Sequence, residues 1–383
     1  MSATASHIAR LAALAAEAHL GPEADPGPGA RPGLEADPGP GPGPGPEVDL
    51  GAGPEAGPDP GTDPRPAHRP TLLADRPDAT LVRSGRVVAK AHAADCDPER
   101  LAVRLRIAAH PALHGILLPP LPLPPLPSPP VADSDGLLTS LPDGRPATRW
   151  PYGRPVSPDA PDAAPWEETA RLLARLHTVA PSRLPGPVPP MRGPAKAARA
   201  LARMRAATAE PGTGAPPAPA LRRAATTVER AWAQLPPWAR DEAPPPRATA
   251  LCHGDLHLGQ LVRHPVPDGP WLLIDIDDLG LGDPAWDLAR PAAWFATGLL
   301  APAAWSRFLG AYRAAGGPAV RPRGAPWPEL DTPARALTVQ TAALAVAKAA
   351  AAGRPLDEDE GAVVDACGRM ACAGPELADR PEP

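Results

Sequence analysis

Hydrophobic positions change period several times along this chain. From residue 70 the apolar runs are short: Thr71-Leu72-Leu73, then Thr80-Leu81-Val82-Arg83, then Val87-Val88-Ala89-Lys90. The last two flank Ser84-Gly85-Arg86, which predicts two antiparallel strands joined by a tight turn. After Asp97-Pro98, Leu101, Leu105 and Ala108 recur at helical spacing, so a helix is expected over 99–109, ended by Pro111. Residues 116–130 carry so many prolines that the backbone must be extended, and a strand is expected at 147–150. Beyond residue 165 the period is helical. Leu172, Leu173, Leu176 and Val179 form one stripe, and further helices are expected near 193–208, 219–234, 284–297, 302–315, 332–352 and 360–373. Two short strands, 248–251 and 271–276, interrupt them. The fold class expected is α+β with two lobes: a small β-rich lobe over 67–150 and a larger helical lobe over 151–383.

The segment before residue 67 reads differently. Residues 2–20 predict one short Ala-rich helix with Ile8, Leu11 and Leu14 on a face, too short to hold alone and not expected to dock. Composition then changes the picture: the chain has 63 Pro and 35 Gly, and 26 of these fall within 21–66 beside nine acids and two arginines. The heptamer Glu-Ala-Asp-Pro-Gly-Pro-Gly at 23–29 recurs at 35–41. With almost nothing apolar to offset ordering entropy, this stretch is expected to be a disordered acidic tail. Its charge would allow a partner protein, which nothing else in the sequence supports.

Because residues 21–66, with nine acids against two arginines, outweigh the whole chain's formal charge of −5, the body is nearly neutral and lacks the basic excess that nucleic-acid binding needs. No apolar run is long enough to span a membrane, and no basic region precedes Ile8 as in a secretory signal. A cytoplasmic location is the expectation. Cys96, Cys252, Cys367 and Cys372 lack CxxC spacing, which suits reduced thiols rather than a zinc site.

The densest polar cluster is His253-Gly254-Asp255-Leu256-His257-Leu258-Gly259-Gln260, followed fifteen residues later by Asp275-Ile276-Asp277-Asp278. In a strand, Ile274 and Ile276 would face one side while Asp275 and Asp277 face the other. Two carboxylates on one face repel unless a cation sits there, and acids beside an amide side chain form the hard-oxygen surroundings that Mg²⁺ shares with substrate phosphates. Lys90 stands out by rarity: Lys90, Lys196 and Lys348 are the only lysines beside 35 arginines. A lysine kept in an apolar strand suggests that a compact ammonium is needed there. Asp283 before Pro284 suits a helix start, and Asp287 can hold nearby backbone amides.

His253-Gly254-Asp255 with Gln260 five residues on, then Ile274-Asp275, then Gly282-Asp283-Pro284-Ala285-Trp286-Asp287-Leu288-Ala289, resembles the aminoglycoside phosphotransferase and choline kinase-like family, relatives of protein kinases. Lobe order, the helix ending at His177 and the Val87-to-Lys90 strand extend the resemblance over about 70–375. It implies a protein kinase-like fold and ATP- and Mg²⁺-dependent transfer of a γ-phosphate to a small-molecule hydroxyl on an aminoglycoside, sugar or amino alcohol. Asp255 would be the catalytic base and His257 a second catalytic-loop group. Asp275 and Gln260 would hold the metal, and Lys90 the nucleotide phosphates. Glu99 is the nearest acid to pair with Lys90, while Arg104 stands where the family places its helix acid. The ending His257-Leu258-Gly259-Gln260 also resembles maltokinase-like relatives, which act on a neutral sugar. Two other readings stay open: a nucleotide-binding pseudokinase that works by binding, suggested by Gln260, by the glycine-free stretch Ala74-Asp75-Arg76-Pro77-Asp78-Ala79 and by the missing helix acid, and a metal-dependent hydrolase built on His253, Asp255 and His257.

Overall fold

The computed structural model describes residues 3–16, 69–76, 78–124, 135–157, 159, 163–209 and 218–372, with backbone alone for 3–7. The expected acidic tail at 21–66, part of the Pro-rich stretch 116–130 and the chain beyond 372 lie outside the described residues.

After helix α1 (Ala3–Ala16), the strands β1 (Thr71–Arg76), β2 (Ala79–Ser84) and β3 (Val87–His92) form an antiparallel meander. The β2–β3 turn closes Ser84 against Val87, and Gly85 takes φ +57°, a conformation open to glycine at little cost. Helix α2 (Pro98–Ala109) follows, started by the Asp97 carboxylate on the Glu99 and Arg100 amides. Strands β4 (Thr139–Ser140) and β5 (Pro146–Pro151) complete a five-stranded sheet in the order β1-β2-β3-β5-β4. In this register Lys90 lies opposite Leu81 and Thr148, while Ala89 faces Val82 and Ala91 faces Ala147. Strand alternation therefore puts Val87, Ala89 and Ala91 on one face and Lys90 and His92 on the other.

The apolar face explains a correction. Helix α1 forms as expected, but it docks: Leu11, Leu14 and Ala15 are buried in one cluster with Val82, Val87, Ala89, Ala91, Leu141 and Ala147. The alanines of this face are short, and Leu11 and Leu14 of α1 cover them. The gain comes from covering the sheet, which helix propensity alone cannot reveal.

The rest of the chain is mainly helical. Strand β6 (Arg154–Pro155) leads into α3 (Trp166–Thr178), α4 (Gly193–Thr208) and α5 (Pro219–Ala233). Short strands β7 (Ala250–Cys252), β8 (Leu261–Arg263), β9 (Trp271–Leu273) and β10 (Gly280–Gly282) then form two small sheets, β7 with β10 and β6-β8-β9. Helices α6 (Ala285–Thr297), α7 (Pro302–Ala314), α8 (Trp327–Ala351) and α9 (Glu358–Cys372) follow. Helix α8 is the central one, buried along most of its circumference against α4, α5, α6 and α9. The late aromatics serve the core: Phe295, Trp305 and Trp327 stack with ring centroids 5.5–6.3 Å apart. Among the described residues no helix is long and apolar enough to cross a membrane.

One expected strand is shorter than its pattern suggests. β9 ends at Leu273, and Asp275 takes φ +66°, so the chain turns instead of continuing to 276. The isoleucines consequently serve different clusters, Ile274 packing with Leu118, Val262 and Leu272 and Ile276 entering the main core.

Candidate active site

The polar face of the first sheet meets the turn after β9. The Lys90 ammonium lies 2.9 Å from Asp275 Oδ1 and 3.1 Å from Asp277 Oδ2. Burial works against its charge, but the two carboxylates outweigh that and hold its pKa above the ordinary lysine value. Burial likewise pushes both acids up; Lys90 on Asp275, and His92 with Lys90 on Asp277, leave them below the usual carboxylate range. His92 Nδ1 is 2.9 Å from Asp277 Oδ1 and its Nε2 is 2.9 Å from Thr148 Oγ1, so strand β5 braces the second acid through the histidine. The Gln260 amide nitrogen donates to Asp275 Oδ2 at 3.3 Å. Lys90, Gln260 and Asp275 are thus brought together. Asp275 holds a left-handed backbone that costs a non-glycine residue about 1–2 kcal/mol, and the reward is a carboxylate aimed across the lobe boundary.

Glu99 does not pair with Lys90. It is exposed at the first turn of α2, while Lys90 is held by Asp275 and Asp277. Arg104, on the buried face of that helix, is bound instead to the Leu279 and Pro190 carbonyls at 2.7 and 3.3 Å.

The loop 253–260 joins β7 to β8 and is fixed from behind by Asp287. This fully buried carboxylate accepts the His253 amide at 2.6 Å, the Gly254 amide at 2.7 Å and His177 Nε2 at 3.0 Å. His177 Nδ1 lies 2.8 Å from the Tyr312 hydroxyl, which accepts the Ala319 amide at 3.0 Å. Gly254 has φ +87°, and a Cβ there would stand 2.5 Å from the Asp278 carbonyl oxygen. Only glycine lets the loop lie this close to the 275–278 turn. The backbone-holding role expected for Asp287 is what the geometry shows. Asp283 bonds the Ala285 amide at 3.0 Å and pairs with Arg247 at 2.7 Å.

Asp255 faces away from that anchor. Its Oδ2 lies 2.6 Å from Lys196 Nζ and its Oδ1 2.8 Å from Arg290 Nη2. Burial would raise its pKa, but Lys196 and then Arg290 prevail and hold it below the ordinary aspartate value. Lys196 also reaches Asp278 Oδ2 at 2.7 Å, and Arg192 stands 3.7 Å from Asp278 Oδ1. His257 is pushed down to about 4, by burial first and then by Arg290, His253 and Lys196, against the pull of Asp255. At neutral pH it is an uncharged ring whose Nδ1 accepts the Gly259 amide at 3.1 Å, so its proton sits on Nε2.

Sequence reasoning passed over Lys196, Arg290 and His92. Rarity was the available signal for the first: two of the three lysines in the chain stand in this site. Among the described residues His177, Cys252 and Asp287 also set three ligand-type atoms within 4.8 Å of one another. Their histidine and carboxylate are already engaged as above, and burial drives the Cys252 thiol well up, so this knot is structural.

A family model described as the phosphotransferase enzyme family matches residues 122–327. No curated protein matches the sequence. Among solved structures, the chain is similar in fold to a thermostable mutant of aminoglycoside phosphotransferase APH(4)-Ia in ternary complex with AMP-PNP and hygromycin B, at 14% identity and TM-score 0.50, covering 80% of this chain and 95% of that one. It also aligns with a choline/ethanolamine kinase family protein from Mesorhizobium loti at 18% identity and TM-score 0.42, over 79% of this chain and 86% of that one.

Proposed function

Because the chain belongs to the phosphotransferase enzyme family, we propose that it transfers the γ-phosphate of ATP to a hydroxyl of a small molecule, with 67–150 as the nucleotide lobe. One observation carries this reading. The single turn 275–278 offers Asp275 and Asp277 to Lys90 on one side and Asp278 to the Lys196–Asp255 pair on the other. A phosphate-binding cation, a metal-binding acid set and a base are thereby held by four consecutive residues, and phosphoryl transfer asks chiefly for such positioning and charge neutralisation.

The donor set suits Mg²⁺: carboxylates of Asp275 and Asp277 converge on one cation already, and Gln260 adds an amide oxygen one rotation away. Bound there, the metal would neutralise charge on the transferring phosphates. Lys90 would hold phosphate oxygens beside it. Asp255 would orient the acceptor hydroxyl and take its proton as the acceptor oxygen bonds to the γ-phosphorus and the bond from phosphorus to the β-phosphate bridging oxygen breaks, leaving ADP. Its low pKa keeps it ionised through the neutral range, ready to receive that proton late in the transfer. His257, neutral with its proton on Nε2, would serve as a hydrogen-bond donor to phosphate and not as a proton shuttle.

Acceptor-dependent ADP release tests the reading. Asp255→Asn should preserve Mg-ATP binding and lower turnover by roughly 10² to 10⁴, whereas Asp275→Asn should weaken Mg-ATP binding itself. Equal binding defects in both variants would overturn the assignment of roles. The pseudokinase reading draws on Arg104 in place of a helix acid, and it requires that Mg-ATP bind with no acceptor-dependent release at all.

A further inference from the structure

The charges around Asp255 say something about the acceptor. Three cations reach this end of the site: Lys196 and Arg192 from the start of α4, and Arg290 from α6. Two carboxylates, Asp255 and Asp278, face them. One positive charge is left over. Arg192 is the least neutralised of the three, since its only carboxylate contact among the described residues, at 3.7 Å, is to an Asp278 that Lys196 already holds at 2.7 Å. Its side chain remains a quarter exposed. Of the acids that could have served a polycation, Asp357 to Glu360, the first and last are engaged at the start of α9. Asp357 and Glu360 cap each other's amides at 2.9 and 3.1 Å, and Glu360 forms a paired contact with Arg354 at 2.7 Å on both oxygens.

Building on the phosphotransfer reading, we propose that the acceptor is a hydroxyl compound without positive charge, a neutral polyol or a hydroxy acid, and that Arg192 and Lys196 are the specificity-determining residues. A cationic acceptor would have to bring its ammonium groups against Lys196, Arg192 and Arg290 in order to present a hydroxyl to Asp255, and like charges brought together across an interface suppress binding strongly. An acidic substituent would instead find Arg192 available for a charge-assisted hydrogen bond.

The test measures ADP release from the full chain with Mg-ATP and three groups of acceptors: kanamycin, neomycin and choline; glucose, maltose and glycerol; gluconate and glycerate. The neutral or acidic groups should contain the best acceptor, with kcat/KM exceeding that of any cationic compound by about a hundredfold. Arg192→Glu should lower the ratio of acidic to neutral acceptor kcat/KM by about tenfold, the loss of one charge-assisted contact, while the Kd for Mg-ATP stays unchanged; a merely structural residue would not move that ratio. Kanamycin, neomycin or choline as the preferred acceptor, with Asp255→Asn abolishing the reaction, would overturn this inference and leave phosphotransfer standing. Mg-ATP binding without release for any group would overturn phosphotransfer and the inference together.

Discussion

Replacing Asp287 by Asn removes one charge from the buried anchor of the loop 253–260 and changes almost nothing in volume. In the wild-type chain both carboxylate oxygens accept: Oδ2 from the His253 amide and His177, Oδ1 from the Gly254 amide. An asparagine retains one acceptor and presents an NH₂ in place of the other, so at least one backbone N–H faces a donor in a fully buried site. A buried donor left unsatisfied costs about 1–3 kcal/mol, and the bonds that survive lose their charge assistance. The sum is about 3–5 kcal/mol, a large part of a total stability of about 5–15 kcal/mol. Urea unfolding followed by tryptophan fluorescence should show a lower midpoint at unchanged slope, and turnover should fall because Asp255 follows the displaced amides by one residue. The pH dependence has a definite sign. Burial pushes Asp287 up, but His177 and the loop amide outweigh it, so its folded pKa lies below the ordinary carboxylate value. Its contribution is therefore present in full above that ordinary value and is lost as pH falls through the folded pKa. The gap between wild type and Asp287→Asn should be constant near neutrality and shrink in acid. A gap under about 1 kcal/mol at neutral pH, or one that widens in acid, would refute the anchoring role.

Leu11→Ala should destabilise the protein by about 2–4 kcal/mol and lower the thermal midpoint by several degrees, since Leu11 is fully buried against the sheet; no shift would show that α1 does not dock. Gln260→Ala should lose most phosphotransfer and need more Mg²⁺, with Gln260→Asn keeping part of the activity, and a Gln260→Ala enzyme equal to wild type in metal dependence would remove this residue from the metal site. Glu99→Gln should leave the Kd for Mg-ATP unchanged in a titration, because Lys90 is held from the 275–277 side; a weakened affinity would restore Glu99 as its partner.

What was legible in the sequence is what periodicity and turn chemistry can carry. The Val87-to-Lys90 strand, the Asp97-Pro98 helix start and the helical stripe through Leu172 and Leu176 all appear within a few residues of their expected places. The Asp275 turn was not legible, because alternating Ile and Asp spell a strand whether or not Asp275 turns to positive φ. Docking of α1 was hidden for another reason. Its partner is a face of Ala89, Ala91 and Ala147, and alanines in a strand pattern do not reveal that a groove needs filling. At the site, the acids were found by their density, whereas Lys196 and Arg290 lie 59 and 35 residues from Asp255, in helices whose sequences look like any Arg- and Ala-rich helix. Charge partners at such separations are a property of the assembled fold.

The absent helix acid bears most directly on whether the site can turn over. In the arrangement the family resemblance implies, an acid from α2 would hold the strand lysine in place. Here α2 contributes Arg104, buried and bound to the Leu279 and Pro190 carbonyls, so this helix steadies the backbone just beyond the 275–278 turn. The lysine's second carboxylate comes from that same turn, as Asp277, and Asp277 is itself braced by His92 and, through it, Thr148. Lys90 is thus oriented by β3 and β5 together with Asp275 and Asp277, without an acid from α2. The demand that made Arg104 look like a defect is met by a different route, in which α2 acts one step removed, on the turn rather than on the lysine. In the phosphotransfer reading proposed above, a pseudokinase would have to be silenced by some other departure, at Gln260 or in the glycine-free first hairpin.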